Sequence, residues 1–367
     1  MVRRTKLPSG ACAWVVDDCQ LARKALNDPR FSKRRPRDDG STHFLYRHML
    51  TLDPPEHTRL RSFVSPFFLP GRIRQLRPQI QSDCDALLDG LGSRVNFVAA
   101  FARPLALCSI CRLTGIPCED APRIDSWAQR LVQADFEDSS QFPVIAGEVC
   151  AYLDELLDRA RPSPDGPLFA HLADVVARGE LDRQEMFSMT FLLLNAGFET
   201  SANLVAAGVL SLLERRPQWE AVCADPAVAA LAVEELLRFE SPLQMSTPRY
   251  ALEDVILDGQ TIGAGEMIFA ALGAANRDAA QFTDPDRLDI TRENACRHVA
   301  FGHGAHFCLG APLARLEAEI AISSFARAFP EARYDNAMGP PLWDRGFVLR
   351  GLAALHLVLR DNDPYDR

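Results

Sequence analysis

The sequence predicts a mainly α-helical protein with a small β part, folded as a single large domain over residues 1–367. Most of the chain has a helical pattern, and short strand-like stretches occur towards its two ends. No Pro/Gly/Ser-rich linker, repeat or low-complexity block divides it. With 47% hydrophobic residues, a chain of this length can bury a large core.

The longest predicted helix begins at Asp182, where Glu185 stands at the spacing of a capping box, and it ends before Pro217. At a rise of 1.5 Å per residue it is roughly 50 Å long, which is enough to form a wall of a buried cofactor site. The other predicted elements are, in chain order, a strand at 13–16, helices at 18–26, 72–91, 122–134 and 144–160, strands within 249–268 around the Asp258-Gly259 turn, and strands within 347–359.

Charge and hydropathy exclude several classes of function. The net charge of −9 and the pI near 5.5 argue against nucleic acid as the main partner, because phosphate binding needs a clustered basic surface. The longest apolar stretch, 186–197, is interrupted by polar residues and is too short to span a bilayer. No apolar segment of a signal peptide follows the basic residues near the N-terminus. We therefore expect a cytoplasmic protein that does not bind membranes.

Ten cysteines in such a chain are interpreted as reduced thiols. Cys108 and Cys111 form a C-x-x-C, with Cys118 further on. They lie in an apolar helical run, where cysteines act as small hydrophobic residues, and no second ligand pair follows at zinc-finger spacing. The sequence therefore predicts no metal site there.

The strongest functional signal is the segment Phe301-Gly302-His303-Gly304-Ala305-His306-Phe307-Cys308-Leu309-Gly310. Glycines allow close approach to a flat cofactor, and the start of the following helix stabilises a thiolate. Cys308 is therefore predicted to be the axial ligand of a haem iron, and a thiolate ligand favours O–O cleavage. The alternative is an inert, buried cysteine in a glycine-rich turn.

These residues fit F-x-x-G-x-H-x-C-x-G and resemble the haem-ligand signature of the cytochrome P450 family. The continuation APLARLE at 311–317 resembles its soluble bacterial members, and the resemblance covers nearly the whole chain. It implies the cytochrome P450 fold and haem b as cofactor, with Phe301, Gly302 and Gly310 beside it. No C-x-x-C-H is present, so noncovalent retention of the haem is expected.

The long helix contains Ala196-Gly197-Phe198-Glu199-Thr200-Ser201, which resembles the family's oxygen-activating acid–alcohol motif. Ala196 and Gly197 are predicted to leave room for dioxygen beside the iron. Thr200 would donate a hydrogen bond to the oxygen, and Glu199 would relay protons. The alternative is a local hydrogen bond that bends the helix, with Gly197 serving close packing.

Glu235 and Arg238 form an E-x-x-R on one helix face. Most such pairs are solvated surface features. The resemblance instead implies the family's buried structural pair, with Arg287 as its third partner, holding the loop region before Cys308.

Four cations are predicted to bind the haem carboxylates. His57 and Arg61 lie one helical turn apart and point the same way. The resemblance adds Arg249, before a strand, and His306, in the cysteine loop. Hydrogen bonds to carboxylates from charged donors are the stronger kind.

By the same resemblance, the substrate pocket is predicted to include Leu243, Gln244, Met245, Phe198, Phe347 and Val348, although either phenylalanine could equally be core. Two features depart from the family pattern. The strand near Trp14 comes early, so the usual N-terminal helix and first strand are expected to be missing or reduced. The basic segment 31–49 is short where the family carries a helix-bearing lid, which predicts an open pocket for a bulky or carrier-bound substrate.

The sequence is thus interpreted as a haem-thiolate monooxygenase that hydroxylates or epoxidises a small organic substrate, in secondary metabolite biosynthesis. The chain has no fused flavin or iron–sulfur segment, so electrons would come from a separate ferredoxin and ferredoxin reductase. Arg59, Arg72, Arg74 and Arg297 are candidates for steering the ferredoxin. A carrier protein that presents the substrate is a further predicted partner. The alternative is a haem-deficient P450-like protein that stabilises a partner enzyme, such as a glycosyltransferase; the intact ligand, oxygen motif and carboxylate-binding set argue against it.

Overall fold

The computed structural model describes residues 1–7, 10–36, 43–136, 141–344 and 346–360. Within them the helices are α1 Cys19–Asn27, α2 Glu56–Val64, α3 Pro70–Gln75, α4 Arg77–Asp89, α5 Arg103–Thr114, α6 Ala121–Phe136, α7 Phe142–Arg159, α8 Leu168–Ala177, α9 Arg183–Leu213, α10 Arg216–Ala224, α11 Ala227–Glu240, α12 Leu272–Ala275 and α13 Ala311–Ala328. The strands are β1 Val2–Lys6, β2 Cys12–Val16, β3 Phe31–Ser32, β4 Arg94–Asn96, β5 Arg249–Ala251, β6 Val255–Leu257, β7 Gln260–Ile262, β8 Met267–Ala270, β9 Arg333–Tyr334, β10 Leu342–Trp343, β11 Leu352–Ala354 and β12 His356–Val358. The prediction of a mainly α protein with a small β part is confirmed.

Two predicted helix starts are confirmed by their capping contacts. At the start of α9, the Glu185 N–H donates to Asp182 Oδ1 (2.7 Å), and the Asp182 N–H donates to Glu185 Oε2 (3.1 Å). This is the reciprocal capping box that the D-x-x-E spacing predicts. At the start of α1, Asp18 accepts a hydrogen bond from the Leu21 N–H (2.8 Å).

The single helix predicted at 72–91 is wrong, because the structure divides it into α3 and α4 at Leu76. Pro78 lies in the first turn of α4. Its ring disfavours helical backbone in the preceding residue, and its nitrogen has no hydrogen to donate to the preceding turn. A proline in this position starts a new helix more readily than it continues the old one.

The chain forms two compact units. Unit 1 comprises residues 1–36, 77–105 and 200–367, and unit 2 comprises residues 37–76 and 106–199. The single domain over 1–367 stays a prediction. Residues 37–42 of the lid segment lie outside the described residues, so the open pocket also stays a prediction.

Unit 1 contains a five-stranded sheet in the order β1-β2-β8-β5-β3. Only β2 and β8 are parallel, and the other pairs are antiparallel. A strand precedes the one predicted near Trp14, so the first strand is present in this region: β1 pairs with β2 from Val2↔Val16 to Lys6↔Cys12. This strand lies at the sheet edge and buries only Val2 well. Its charged sequence therefore lacks the apolar alternation by which strands are predicted, as is common at sheet edges.

The helices of unit 1 pack around α13, which contacts α4, α10 and α11. Phe325 of α13 is fully buried, and its ring lies 4.6 Å from that of Phe97 and 6.0 Å from that of Trp219. Burial of such large aromatic side chains contributes on the order of 2–3 kcal/mol each. This core holds the beginning of α13, which directly follows the cysteine loop.

Unit 2 is helical and contains α2, α3, α6, α7, α8, most of α5 and the first half of α9. Its aromatic core includes Tyr46, whose ring stacks on Phe142 (4.9 Å) and meets Phe191 edge-on (6.1 Å). Among the described residues, α9 is the one helix long and apolar enough to cross a membrane, and 72% of its most apolar window is buried inside the protein. Such burial is what a core helix shows.

Candidate active site

The cysteine loop has a backbone that requires glycine. Gly302 and Gly304 have φ angles of +71° and +74°, in the left-handed region that other residues adopt at a cost. At Gly304, an added Cβ would lie 2.8 Å from Asn27 Oδ1 and 2.9 Å from the Leu26 carbonyl oxygen, at the end of α1. The loop therefore packs so closely against α1 at Gly304 that a residue with a side chain would not fit there.

Cys308 lies at the end of this loop with an exposed side chain. Its N–H donates to the Phe301 carbonyl (2.9 Å), which closes the loop, and α13 begins three residues later at Ala311. The unpaired N–H groups of a helix start favour a negative charge nearby, and a thiolate is such a charge. Gly310 lies beside the sulfur, and a Cβ added there would make an ordinary van der Waals contact with Sγ at 3.9 Å. An accessible sulfur in this setting fits the thiolate ligand of a haem.

The other cysteines singled out in the sequence have a different environment. Cys111 on α5 is fully buried, and burial raises the pKa of its thiol to about 12. Cys108 and Cys118 are half-buried, with Cys118 Sγ lying 3.8 Å from the Cys108 carbonyl oxygen. No group of three or more metal-binding side chains occurs in the part of the chain that the structure describes.

Glu235 and Arg238 on α11 form a fully buried ion pair. Arg238 Nε and Nη2 each donate to one Glu235 oxygen at 2.7 Å, and both side chains are 0% exposed. Arg238 also donates to the backbone carbonyls of Asn276 (3.0 Å), Pro285 (2.8 Å) and Arg287 (3.1 Å). Charges buried at this depth persist only when they are fully hydrogen-bonded, as here.

Arg287 is not the third side chain of this cluster, contrary to the sequence-based prediction. That position belongs to Arg292, whose Nε lies 3.1–3.2 Å from both Glu235 oxygens. Arg287 is exposed and takes part only through its carbonyl, which accepts from both Arg238 and Arg292. The chain turns between these two arginines, and the Asp289 N–H within the turn donates to Glu235 Oε1 (2.9 Å).

Asn276 connects this cluster to the cysteine loop, a role that the sequence analysis missed. Its Oδ1 accepts from the Val299 N–H (2.7 Å), its Nδ2 donates to Ser241 Oγ (2.8 Å), and its carbonyl accepts from Arg238. The side chain is fully buried. An asparagine in an Ala-Ala-Asn-Arg segment carries no motif, so only the tertiary contacts identify it.

The middle of α9 departs from the burial of the rest of the helix. Ala196 is exposed, and Glu199 and Thr200 are half-exposed, although residues 201–212 are buried. Ala196 and Thr200 lie one helical turn apart and therefore share a face. A small side chain, a carboxylate and a hydroxyl are thus accessible in the middle of an otherwise largely buried helix.

Gly197, the next residue after Ala196, packs against α5. An added Cβ would lie 2.8 Å from Ile110 Cδ1 and 2.9 Å from its Cγ1, so the glycine allows α9 and α5 to pack closely. This contact supports the packing alternative for Gly197, and its role beside the cofactor stays a prediction. Phe198 is 0% exposed and is a core residue, so the prediction that it lines the substrate pocket is wrong. Phe198 lies two residues after Ala196 on the helix, so its side chain points away from the Ala196 face.

The four predicted carboxylate-binding cations are divided between the units. In unit 2, His57 of α2 is buried (3% exposed), and Arg61 lies half-buried one turn later on the same face. In unit 1, Arg249 of β5 is buried (7% exposed), with Nη1 donating to the Phe31 carbonyl (3.4 Å). His306 is half-buried within the cysteine loop. Within unit 1, a buried guanidinium such as that of Arg249 is favoured by a nearby anion.

The structure brings together the predicted pocket segments of unit 1. The Gln244 N–H donates to the Val348 carbonyl (2.8 Å), and Leu243 forms a β-bridge with Leu349. Leu243, Gln244, Met245, Phe347 and Val348 are all half-buried. Gln244 Nε2 donates to the Ser241 carbonyl (2.9 Å), so this side chain supports the end of α11.

The candidate ferredoxin-steering arginines differ in availability. Arg59 is engaged within unit 2, where it forms an ion pair with Glu185 and donates to the Glu180 carbonyl (3.2 Å). The Arg72 guanidinium lies 5.0 Å from the centre of the Phe67 ring. Arg74 and Arg297 are exposed.

Comparison with known proteins gives a consistent result. A sequence profile of the cytochrome P450 family matches residues 215–349. The chain is 40% identical to cytochrome P450 107B1 of Saccharopolyspora erythraea, over 96% of this chain and 91% of that protein. It is 37% identical to the mycinamicin IV hydroxylase/epoxidase of Micromonospora griseorubida, over 97% of this chain and 92% of that protein.

Two solved structures extend the similarity to the fold. The myxobacterial cytochrome P450 CYP267B1, solved with myristic acid, has a TM-score of 0.93 and 37% identity, covering 98% of this chain and 94% of its own. P450BioI, solved with an acyl carrier protein ligated to hexadec-9Z-enoic acid, has a TM-score of 0.90 and 32% identity, with coverage of 98% and 95%. Identity of this extent along nearly the full length shows common descent, and this chain belongs to the cytochrome P450 family.

Proposed function

We propose that this cytochrome P450 monooxygenase, whose cofactor is haem b with a cysteine thiolate ligand, uses Cys308 as that ligand and acts on a bulky or carrier-bound natural-product intermediate. The reaction would be hydroxylation or epoxidation. The observation that carries the proposal is the exposed Cys308 sulfur in a glycine-dependent loop at the start of α13.

The residues of the cysteine loop fit such a cofactor. Phe301, Gly302 and Gly310 would lie beside the ring, with Ala196 of α9 leaving space for a small ligand. His57, Arg61, Arg249 and His306 would hold the haem carboxylates by charge-assisted hydrogen bonds. When bound, thiolate-ligated haem supplies the activation of dioxygen and the cleavage of its O–O bond.

Glu199 and Thr200 would deliver the protons that this chemistry consumes. Their half-exposed position in the middle of α9 supports the role, because a proton relay needs both a polar group and access to water. The Thr200 hydroxyl would give up its proton along its hydrogen bond and regain one from Glu199 or water. Glu235, Arg238 and Arg292, which we call the Glu235 cluster, would not touch the substrate, and their function would be to hold the segment before Cys308.

The substrate class rests on the relatives. One acts on mycinamicin IV, as its name states, one was solved with a fatty acid, and one was solved with an acyl carrier protein. We propose that this chain acts in secondary metabolism on a comparably large molecule, free or bound to a carrier. Electrons would come from a separate ferredoxin and ferredoxin reductase, and the protein would be cytoplasmic.

A carbon monoxide difference spectrum tests the ligand assignment. The reduced protein is expected to show the thiolate-type band, Cys308→Ser to lose it, and Cys296→Ser to keep it. Cys296 is a matched control because it is also exposed and lies in unit 1. Absence of the band in the unmodified, haem-supplemented protein would contradict the proposal and favour the haem-deficient auxiliary protein.

Substrate binding has its own test. Macrolide precursors and acyl carrier-bound fatty acids would be screened for the spin-state shift that accompanies displacement of water from the iron. A response only to small, free molecules would contradict the proposed substrate class and leave the ligand assignment intact.

Thr200→Ala tests proton delivery, with Thr200→Ser as the matched control that keeps the hydroxyl. We expect Thr200→Ala to lower product formed per NADH or NADPH by roughly tenfold or more, with a matching rise in hydrogen peroxide, since a positioned proton donor contributes about 10²–10⁴-fold. Unchanged coupling in Thr200→Ala would remove this residue from the pathway.

A further inference from the structure

We propose that Glu234, His298 and Arg315 form a positioning network that holds the Phe301 ring and, through the balance of its charges, sets the reduction potential of the haem. The inference rests on the proposed role of Cys308 as the haem ligand. It concerns side chains of unit 1 that lie outside the Glu235 cluster. We call these three residues the Glu234 network.

The network is centred on the Glu234 carboxylate. Arg315 of α13 donates to it in bidentate fashion, from Nε to Oε1 (2.5 Å) and from Nη2 to Oε2 (3.1 Å). On the other side, His298 Nε2 lies 3.3 Å from Oε2. Bidentate arginine–carboxylate pairs restrict the guanidinium plane as well as its distance.

The tautomer of His298 follows from its second contact. Its Nδ1 accepts a hydrogen bond from the Ala300 N–H (3.2 Å), so Nδ1 carries no proton. The proton of the imidazole therefore lies on Nε2, where it faces Glu234. The His298 side chain is 2% exposed, and the next residue, Val299, is held by Asn276. His298 Nε2 is thus held close to the carboxylate by the fixed position of the ring.

The network touches the residue that closes the cysteine loop. The Arg315 guanidinium lies 4.7 Å from the centre of the Phe301 ring, and the His298 ring lies 5.7 Å from it. The Phe301 carbonyl accepts the hydrogen bond from the Cys308 N–H. Arg315 therefore contributes a cation–π contact to a residue whose backbone holds Cys308.

The charges of the network oppose each other. Although burial raises the pKa of Glu234, hydrogen bonds from His298 and Arg315 outweigh it and lower the pKa to about 2. At neutral pH the carboxylate is therefore negative, Arg315 is positive, and the pair adds little net charge next to the cysteine loop. Neutralising either partner would leave the other unopposed, and an unopposed charge acts on an electron entering the haem.

The sign of the effect is different for the two partners. Glu234→Gln leaves the Arg315 cation, which favours the reduced iron, so the reduction potential should rise. Arg315→Gln leaves the Glu234 anion, which disfavours the reduced iron, so the potential should fall. A general loosening of the loop would instead move the potential in the same direction in both variants, which separates a charge effect from a structural defect.

The experiment is spectroelectrochemical titration of the haem-loaded variants. Glu234→Gln and Arg315→Gln are expected to shift the potential in opposite directions, and the double variant is expected to lie between them. Arg315→Lys, which keeps the charge but loses the bidentate geometry, should shift it less than Arg315→Gln. Arg77→Gln is the matched control, because its exposed ion pair with Glu319 (2.8 Å) also joins α13 and should leave the potential unchanged.

The inference would be overturned if the reduction potentials of Glu234→Gln and Arg315→Gln shifted in the same direction or did not shift. In that case the variants would still show the thiolate-type carbon monoxide band. Loss of that band from the unmodified protein would instead overturn the proposed function. The two failures are therefore distinguishable in the same preparations.

Discussion

Two adjacent glutamates of α11, Glu234 and Glu235, carry the same charge and occupy very different environments. Glu235 is 0% exposed and is bonded by Arg238, Arg292 and a backbone N–H. Glu234 is 21% exposed, accepts two hydrogen bonds from Arg315, which is 36% exposed, and lies 3.3 Å from His298 Nε2. One residue along a helix rotates a side chain by about 100°, and here that rotation separates the interior from the surface.

The difference shows which charged side chains can be replaced without unfolding the protein. Removing Glu235 leaves two buried arginines without a counter-charge and without water to solvate them, so the free energy of unfolding decreases. Removing Glu234 leaves a cation that water can reach, so the fold tolerates the change. A charge used to tune a cofactor would therefore be expected at the second kind of position and a structural lock at the first.

The largest effect is expected for Glu235→Gln. Because Arg238 would remain buried without its counter-charge, we expect a loss of about 3–5 kcal/mol in the free energy of unfolding. Thermal unfolding followed by circular dichroism measures it, with Glu234→Gln as the neighbouring control. Equal melting temperatures for the two variants would show that Glu235 contributes no more to stability than Glu234.

An intermediate effect is expected for Arg292→Ala, which removes the second cation of the Glu235 cluster. We expect about 2–3 kcal/mol of destabilisation, because Glu235 and three backbone carbonyls lose donors. Arg287→Ala, the position predicted from sequence, should cost within about 0.5 kcal/mol because its side chain is exposed. Urea denaturation of the two variants compares them directly, and the reverse order would restore Arg287 as the third partner.

Among the variants that remove a charge from the Glu234 network or the Glu235 cluster, the smallest effect is expected for Glu234→Gln, about 1 kcal/mol at neutral pH. The sign follows from the lowered pKa of Glu234: its contribution to stability is complete above about pH 4.5 and is lost as the pH falls towards about 2. The difference in melting temperature between the unmodified protein and this variant should therefore shrink between pH 5 and pH 3. A constant difference across this range would show that the carboxylate charge contributes nothing to stability.

Local signals in the sequence predicted much of the fold and the chemistry. The spacing of Asp182 and Glu185 predicted the start of α9, and the Phe301–Gly310 spacing predicted the cysteine loop. The Asp258-Gly259 pair predicted a hairpin turn, and both of its residues have positive φ angles. Each of these signals acts within a few residues, so the chain order is enough to read it.

Other assignments depended on neighbours distant in sequence. Gly197 fits a motif that suggests open space, yet Ile110 occupies the place of its missing side chain. Arg287 and Arg292 are five residues apart and equally basic, and only the turn between them decides which guanidinium reaches Glu235. His298 and Arg315 carry no signal of a shared partner until α11 and α13 bring them to Glu234.

By itself, the sequence determined the family, the thiolate loop, the capped helices and the pairs of residues one turn apart, because these depend on local spacing and backbone preference. The tertiary structure alone decided which charges are buried, which arginine completes the Glu235 cluster, and what Gly197 packs against. Burial and partner choice depend on the full set of contacts around a residue, and most of those contacts come from elsewhere in the chain.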